Sequence, residues 1–244
     1  MRVRIGLATL IALPLLCCSR GRDKADEALA QAWQFAAEGK YEEALQKYIW
    51  YHDHALEINQ AHYGVRLSFA LSYWIDLGKK YPKALDALKD IRDKKTARLV
   101  AGENNWPLFH DIVAINENLG ESLATVEAFK KIQAARPDFA FSVAEIADKA
   151  LFDVKEYELE RKYLGDPWCR FDLLQCNLDF GIEYAKTHGA SGRSRQASEH
   201  NFTHDVVRLI VLLDKTGDGD TARQILAKAL AACDNAAIRA ALRE

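Results

Sequence analysis

From about residue 28 onward, apolar side chains recur three and four positions apart, and no stretch alternates convincingly in steps of two. A three-and-four spacing places apolar groups on one face of an α-helix, so the pattern predicts helix after helix. The first pair is expected over residues 28–37 and 41–58, with Glu38-Gly39-Lys40 as the turn. A second pair is expected over 65–77, then Gly78 and a helix carrying Tyr81, Ala84, Leu88 and Ile91. A third runs over 108–119, then Gly120, Thr125, Phe129, Ile132 and a stop at Pro137. Residues 142–164 give a degenerate fourth pair, in which Tyr157 opens the second helix but no Gly precedes it. The last pair is 203–216, then Gly217, Ala222, Leu226 and Ala229. Two linkers interrupt the series: 94–107, and the Gly- and Ser-rich 189–197, which sets a helix of about 170–187 apart from the C-terminal pair.

The first pair carries Gly39-x-Tyr41-x2-Ala44-x3-Tyr48. This resembles the tetratricopeptide repeat, a helical hairpin in which Gly ends the first helix, an aromatic opens the second and small residues sit where the helices cross. Ala32 and Ala44 match the crossing positions, with Trp33 and Phe35 supplying bulk around them. The interval is irregular: 40 residues from Ala44 to Ala84, 41 from Ala84 to Thr125 and 97 from Thr125 to Ala222. The resemblance covers about residues 25–232. It implies an all-α fold, an α-solenoid of tetratricopeptide-like antiparallel hairpins with irregular period. Residues 25–188 would hold four repeats, 189–197 the linker, and 198–244 the final hairpin and a C-terminal capping helix. An array of stacked hairpins needs such a cap to cover its last apolar face.

The N-terminus has another character. Arg2 and Arg4 precede twelve almost wholly apolar residues, 5–16, too few for a typical spanning helix. The run ends at Leu15-Leu16-Cys17-Cys18-Ser19, which resembles a bacterial lipoprotein signal. That resemblance implies a leader of 1–17, a cut before Cys18, a diacylglyceryl group on its thiol and a tether of 18–24. Cys17 is the alternative attachment point. An ordinary cleaved signal and an uncleaved anchor are the rival readings. Ser19 after Cys18 implies an outer-membrane destination facing the periplasm.

Composition agrees with helices: only 13 Gly and 5 Pro occur, too few for a turn-rich β protein. The formal charge is −2, and loss of Arg2 and Arg4 with the leader lowers it to −4. No basic stripe interleaved with aromatics appears, so the electrostatic footprint of nucleic-acid binding is missing. Cys169, Cys176 and Cys233 are expected as three buried thiols. Cys169 and Cys176 stand about 10 Å apart on one straight helix, too far for a disulfide. A bridge would need a break near Asp166-Pro167 or a pairing with Cys233.

Stacked hairpins present the first helix of each pair on a concave surface. Arg66, Phe69, Tyr73 and Asp76, spaced by three, four and three, are expected as one stripe there, with His110 and Glu117 on the next helix. An Arg and acids flanking aromatics suit an extended peptide or a polar chain end. Phe69 and Tyr73 also suit packing between repeats. His52 and His54 lie about 200° apart on a helix and cannot share an ion. His200 and His204, four apart, could share one, but no third ligand is visible and no Glu follows the first His as a metalloprotease motif requires. Asp214–Asp220 lacks the closing acid of a calcium loop, with Ile225 in its place.

The expectation is a lipid-anchored scaffold that binds a protein or peptide partner, without catalysis, cofactor or nucleic acid. A metal-assisted envelope enzyme using His200 and His204 is one alternative. A self-assembling structural envelope protein is the other.

Overall fold

A computed structural model describes residues 22–188 and 192–243, and among them every regular element is helical. The fold is all-α. Residues 1–21, which hold the expected leader and Cys17 and Cys18, lie outside the described residues. The chain divides into two compact units, one ending at Arg66 and the other beginning at Leu67.

The first unit is a helical hairpin. Asp23 starts α1 (Lys24–Ala37): its side chain accepts from the Ala25 and Asp26 amides at 2.9 and 3.0 Å, and Asp26 reaches back to the Asp23 amide. This reciprocal cap satisfies backbone donors that a helix start leaves open. Gly39, at φ +76°, ends the helix, since a left-handed residue there costs glycine nothing. Then α2 (Tyr41–Ile58) returns, as the periodicity predicts. Ala32 and Ala44 are both fully buried, so the two helices meet through methyl groups. Trp33, expected to pack around that crossing, is instead 62% exposed. After α2 a 3-10 turn (Gln60–His62) leads into α3 (Tyr63–Leu67).

The single helix expected over 65–77 is broken at Ser68, whose φ and ψ of −128° and −92° are not helical. The second unit therefore opens with α4 (Phe69–Lys80) and α5 (Pro82–Val100). Gly78 does not form their turn; it lies inside α4, where a Cβ would come within 2.4 Å of Leu85 Cγ. It is the absence of a side chain, not backbone freedom, that this position uses. The expected linker 94–107 is largely helix, because α5 continues to Val100. Next come α6 (Trp106–Leu119), Gly120 at φ +70°, and α7 (Ser122–Ala135), where Thr125, Phe129 and Ile132 are buried as expected.

The fourth hairpin pairs α8 (Pro137–Asp153) with α9 (Tyr157–Leu164). Its turn lacks glycine, and Lys155 takes the left-handed conformation at φ +63°. α10 (Pro167–Thr187) packs on α11 (Gly192–Lys215), which packs on α12 (Gly219–Ala232) and α13 (Ala236–Ala240). Residues 192–197, expected as flexible linker, are the first turns of α11, and α10 shares a core with the C-terminal helices. The second unit thus holds two apolar clusters. One centres on Phe109, Ile112, Phe129, Val143 and Leu151; the other on Phe171, Phe202, Ile210, Leu213 and Ile225. Each fully buried side chain of this kind contributes about 1.5–3 kcal/mol.

Candidate functional site

Two concavities of the second unit adjoin α8. The first is a groove of about 320 Å³. His110, Val113 and Glu117 come from α6, Ser122 and Thr125 from α7, and Glu145, Ile146 and Lys149 from α8. The three-and-four spacing on α6 puts its contributors on one face. Lys149 bonds Asp153 at 2.7 Å and stands 3.8 Å from Glu117, linking α8 to α6 across the groove. Ser122 donates to the same Asp153 at 3.4 Å. Glu117, Glu145 and Asp153 outnumber Lys149, so the groove is acidic with an apolar base of Val113 and Ile146.

The second concavity, of about 240 Å³, shares Ser142 and Glu145 with the first. Phe141, Asp148, Glu160, Tyr163 and Arg170 also line it. It lies where the two apolar clusters meet, on residues of α8, α9 and α10. Arg170 bonds Glu145 at 2.6 Å and Asp148 at 3.4 Å. Behind it, Arg208 of α11 stands 3.3 Å from Asp148 and 3.6 Å from Glu160, with its guanidinium 5.2 Å from the Phe152 ring. Glu160 is 4% exposed, and its Oε2 has no hydrogen-bond partner. Burial, followed by the hydrogen bond to Asp148, pushes the Glu160 carboxyl up to about 9. At neutral pH it is an uncharged acid.

The residues of the expected stripe fall on two helices. Arg66 sits on α3, beyond the break at Ser68, buried and donating from Nε to the His52 carbonyl at 2.7 Å. Phe69, Tyr73 and Asp76 remain together on α4, with Phe69 63% and Tyr73 41% exposed, which sets aside the core reading for both. Asp76 pairs with Lys79 at 2.6 Å. His110 and Glu117 do come together in the groove.

His200 and His204 are exposed one turn apart on α11, and His204 bonds Asp205 at 3.0 Å. Among the described residues no third His, Cys, Asp or Glu donor gathers with them. Three such donors do meet at Asp23, Asp26 and His62. There Asp23 is occupied as the cap of α1, and His62 bridges Asp23 at 3.0 Å and the Tyr51 hydroxyl at 3.2 Å. That bridge ties the start of α1 to the segment after α2. Cys169 and Cys176 are exposed rather than buried, and both stand on the unbroken α10; Cys233 is half-buried.

Sequence reasoning missed Glu160, Asp148, Arg170 and Arg208. In Tyr157-Glu-Leu-Glu-Arg-Lys, Glu160 reads as a surface charge. Its spacing from Tyr157 and Leu164, three and four, was the available signal that it faces inward. No protein-family model matches this chain, and no curated protein matches it in sequence.

Proposed function

We propose that this chain is a tetratricopeptide-like α-solenoid that binds an extended polypeptide in the groove between α6 and α8. A lipid on Cys18 holds it at a bacterial outer membrane, facing the periplasm. The observation that carries the reading is the groove itself. It lies between the first helices of consecutive hairpins, open and apolar at its base, with acids and one lysine around it. The order of packing supports the repeat architecture: α4 meets α6, α6 meets α8, and α5 meets α7. The buried Ala32–Ala44 crossing and the glycines at 39, 120 and 217, all left-handed, support it too. The lipid anchor rests on the pattern from Arg2 to Cys18. No helix among the described residues is long and apolar enough to cross a membrane.

A photo-crosslinking residue at Ile146, in the native host, identifies the segment bound; that segment, made as a synthetic peptide, is then titrated against the purified protein. Glu117→Lys and Lys149→Glu are each expected to weaken binding about tenfold, since both charges border the groove. Unchanged affinity in both variants rejects the groove. For the anchor, mass spectrometry of the N-terminal peptide is expected to lose the acyl mass in Cys18→Ser and keep it in Cys17→Ser. The reverse result moves the anchor to Cys17.

A further inference from the structure

We propose that the outer face of α10 docks an amphipathic helix of a partner protein, one that carries a lysine- or arginine-lined edge beside its apolar stripe. This surface is separate from the groove, whose lining comes from α6, α7 and α8 alone.

α10 packs on α11 and α12, burying Phe171, Leu174 and Leu178. One apolar face is enough to hold a surface helix in place, yet this helix has a second. Cys169, Leu173, Cys176, Phe180 and Tyr184 follow one another at intervals of four, three, four and four, so they form one stripe along about four turns. All five are exposed, Phe180 by 72% and Leu173 by 50%. Phe180 and Tyr184 stand 6.3 Å apart between ring centroids, and His188 stacks on Tyr184 at 4.2 Å. Single exposed apolar residues are ordinary, but a continuous row rimmed by charge marks a surface that another molecule covers. The spacing matches the anchors by which one helix lies along another.

The charge at the edge of the stripe says what that molecule must bring. Asp172, Asp179 and Glu183 each immediately precede a stripe residue, so all three line the same edge. The neighbouring cations are engaged. Arg170 bonds Glu145 and Asp148, Lys186 bonds Glu183 at 3.4 Å, and Lys228 of α12 lies over the Trp168 ring. Asp172 and Asp179, both exposed, have no ion pair or hydrogen bond with another described residue. The edge therefore keeps two unanswered negative charges about two turns apart. A basic edge on the incoming helix answers both. A second copy of this chain, paired antiparallel, would set these acids against themselves; paired in parallel, it would set them against Asn177 and Tyr184, which bring no cation.

The test uses the full chain and two synthetic helical peptides with the same leucine stripe, one edged with lysine and the other with glutamate. The readout is the rate at which a maleimide alkylates Cys176, followed by peptide mapping. Without peptide, Cys176 is expected to react freely. The lysine-edged peptide should slow that reaction saturably, at about tenfold lower concentration than the glutamate-edged one. The double variant Asp172→Lys, Asp179→Lys should reverse the order of the two peptides. Phe180→Ser, at an exposed position that leaves the core intact, should weaken the lysine-edged peptide about tenfold. Equal protection by the two peptides, protection by neither, or an unchanged order in the double variant overturns the proposal. A Cys176 that is protected before any peptide is added overturns it too, because this chain or a second copy then covers the stripe.

Discussion

Two sets of charges are buried in the second unit, and they are built differently. Lys95 of α5 and Asp111 of α6, 9% and 2% exposed, face one another as a direct pair. Nearby, Arg92 donates to Asn116 and Glu121, and Asn116 donates to Thr125. These contacts join α5, α6 and α7. At the seam of α8, α9, α10 and α11, by contrast, Glu160 keeps a bare oxygen and Arg208 Nε has no hydrogen-bond partner. The first set satisfies its groups internally and acts as a fastening between hairpins. The second is left incomplete beside a cavity. Burial alone does not distinguish the two sets; the satisfaction of their buried groups does.

The sharpest way to break this contrast is to strip each set of one partner. Asp111→Ala takes the carboxylate from the buried Lys95 ammonium and is expected to cost about 3–5 kcal/mol in urea denaturation. A loss below about 1 kcal/mol would show that the pair is no fastening. Glu160→Gln replaces an acid already neutral at pH 7 and should change stability there far less. The pH profile is the sharper reading. With its folded value raised to about 9, Glu160 binds its proton more tightly in the native state. Its contribution is complete below the ordinary carboxyl range and declines as pH rises toward about 9. The parent chain should lose up to about 1.4 kcal/mol per pH unit across that window, and Glu160→Gln should flatten the slope.

Backbone can be separated from charge at the turn that leads into α9. Lys155→Gly relieves a left-handed lysine and should stabilise the fold by about 1 kcal/mol while leaving the pH profile of Glu160 unchanged. Movement of that profile would mean that the turn, and not the seam, sets the carboxyl's environment. The smallest effect is expected at Asp23, the counter-example among the acids. The Asp26 amide, then His62, lower its carboxyl to about 2, and the cap is lost only as pH falls toward that value. A carboxyl-detected NMR titration should find the midpoint there.

How much of this could be read from sequence varies along the chain. The first hairpin was legible because Gly39, Ala32 and Ala44 each answer to a local steric demand. The third was legible for the same reason at Gly120 and Thr125. The break at Ser68 was not, since no proline or glycine marks it and the apolar spacing runs on across it. Arg66 was misread because its partner is a backbone carbonyl 14 residues earlier, which no helical spacing reveals. Periodicity did place His110 and Glu117 on one face of α6, and both line the groove. The seam was missed because Glu160 and Arg208 answer to helices distant in sequence. Local patterns report the face a residue occupies; they do not report which charge another helix brings to that face.

Gly78 carries a consequence for how such a chain can drift. Because a methyl there would meet Leu85 Cγ at 2.4 Å, growth at position 78 requires the Leu85 side chain to shift or shrink. A side chain gained on α4 is accommodated by volume lost on α5, so a substitution of Gly78 that clashes alone is eased once Leu85 is smaller. The order of mutational steps at this crossing is therefore constrained, with the shrinkage of Leu85 preceding any growth of Gly78.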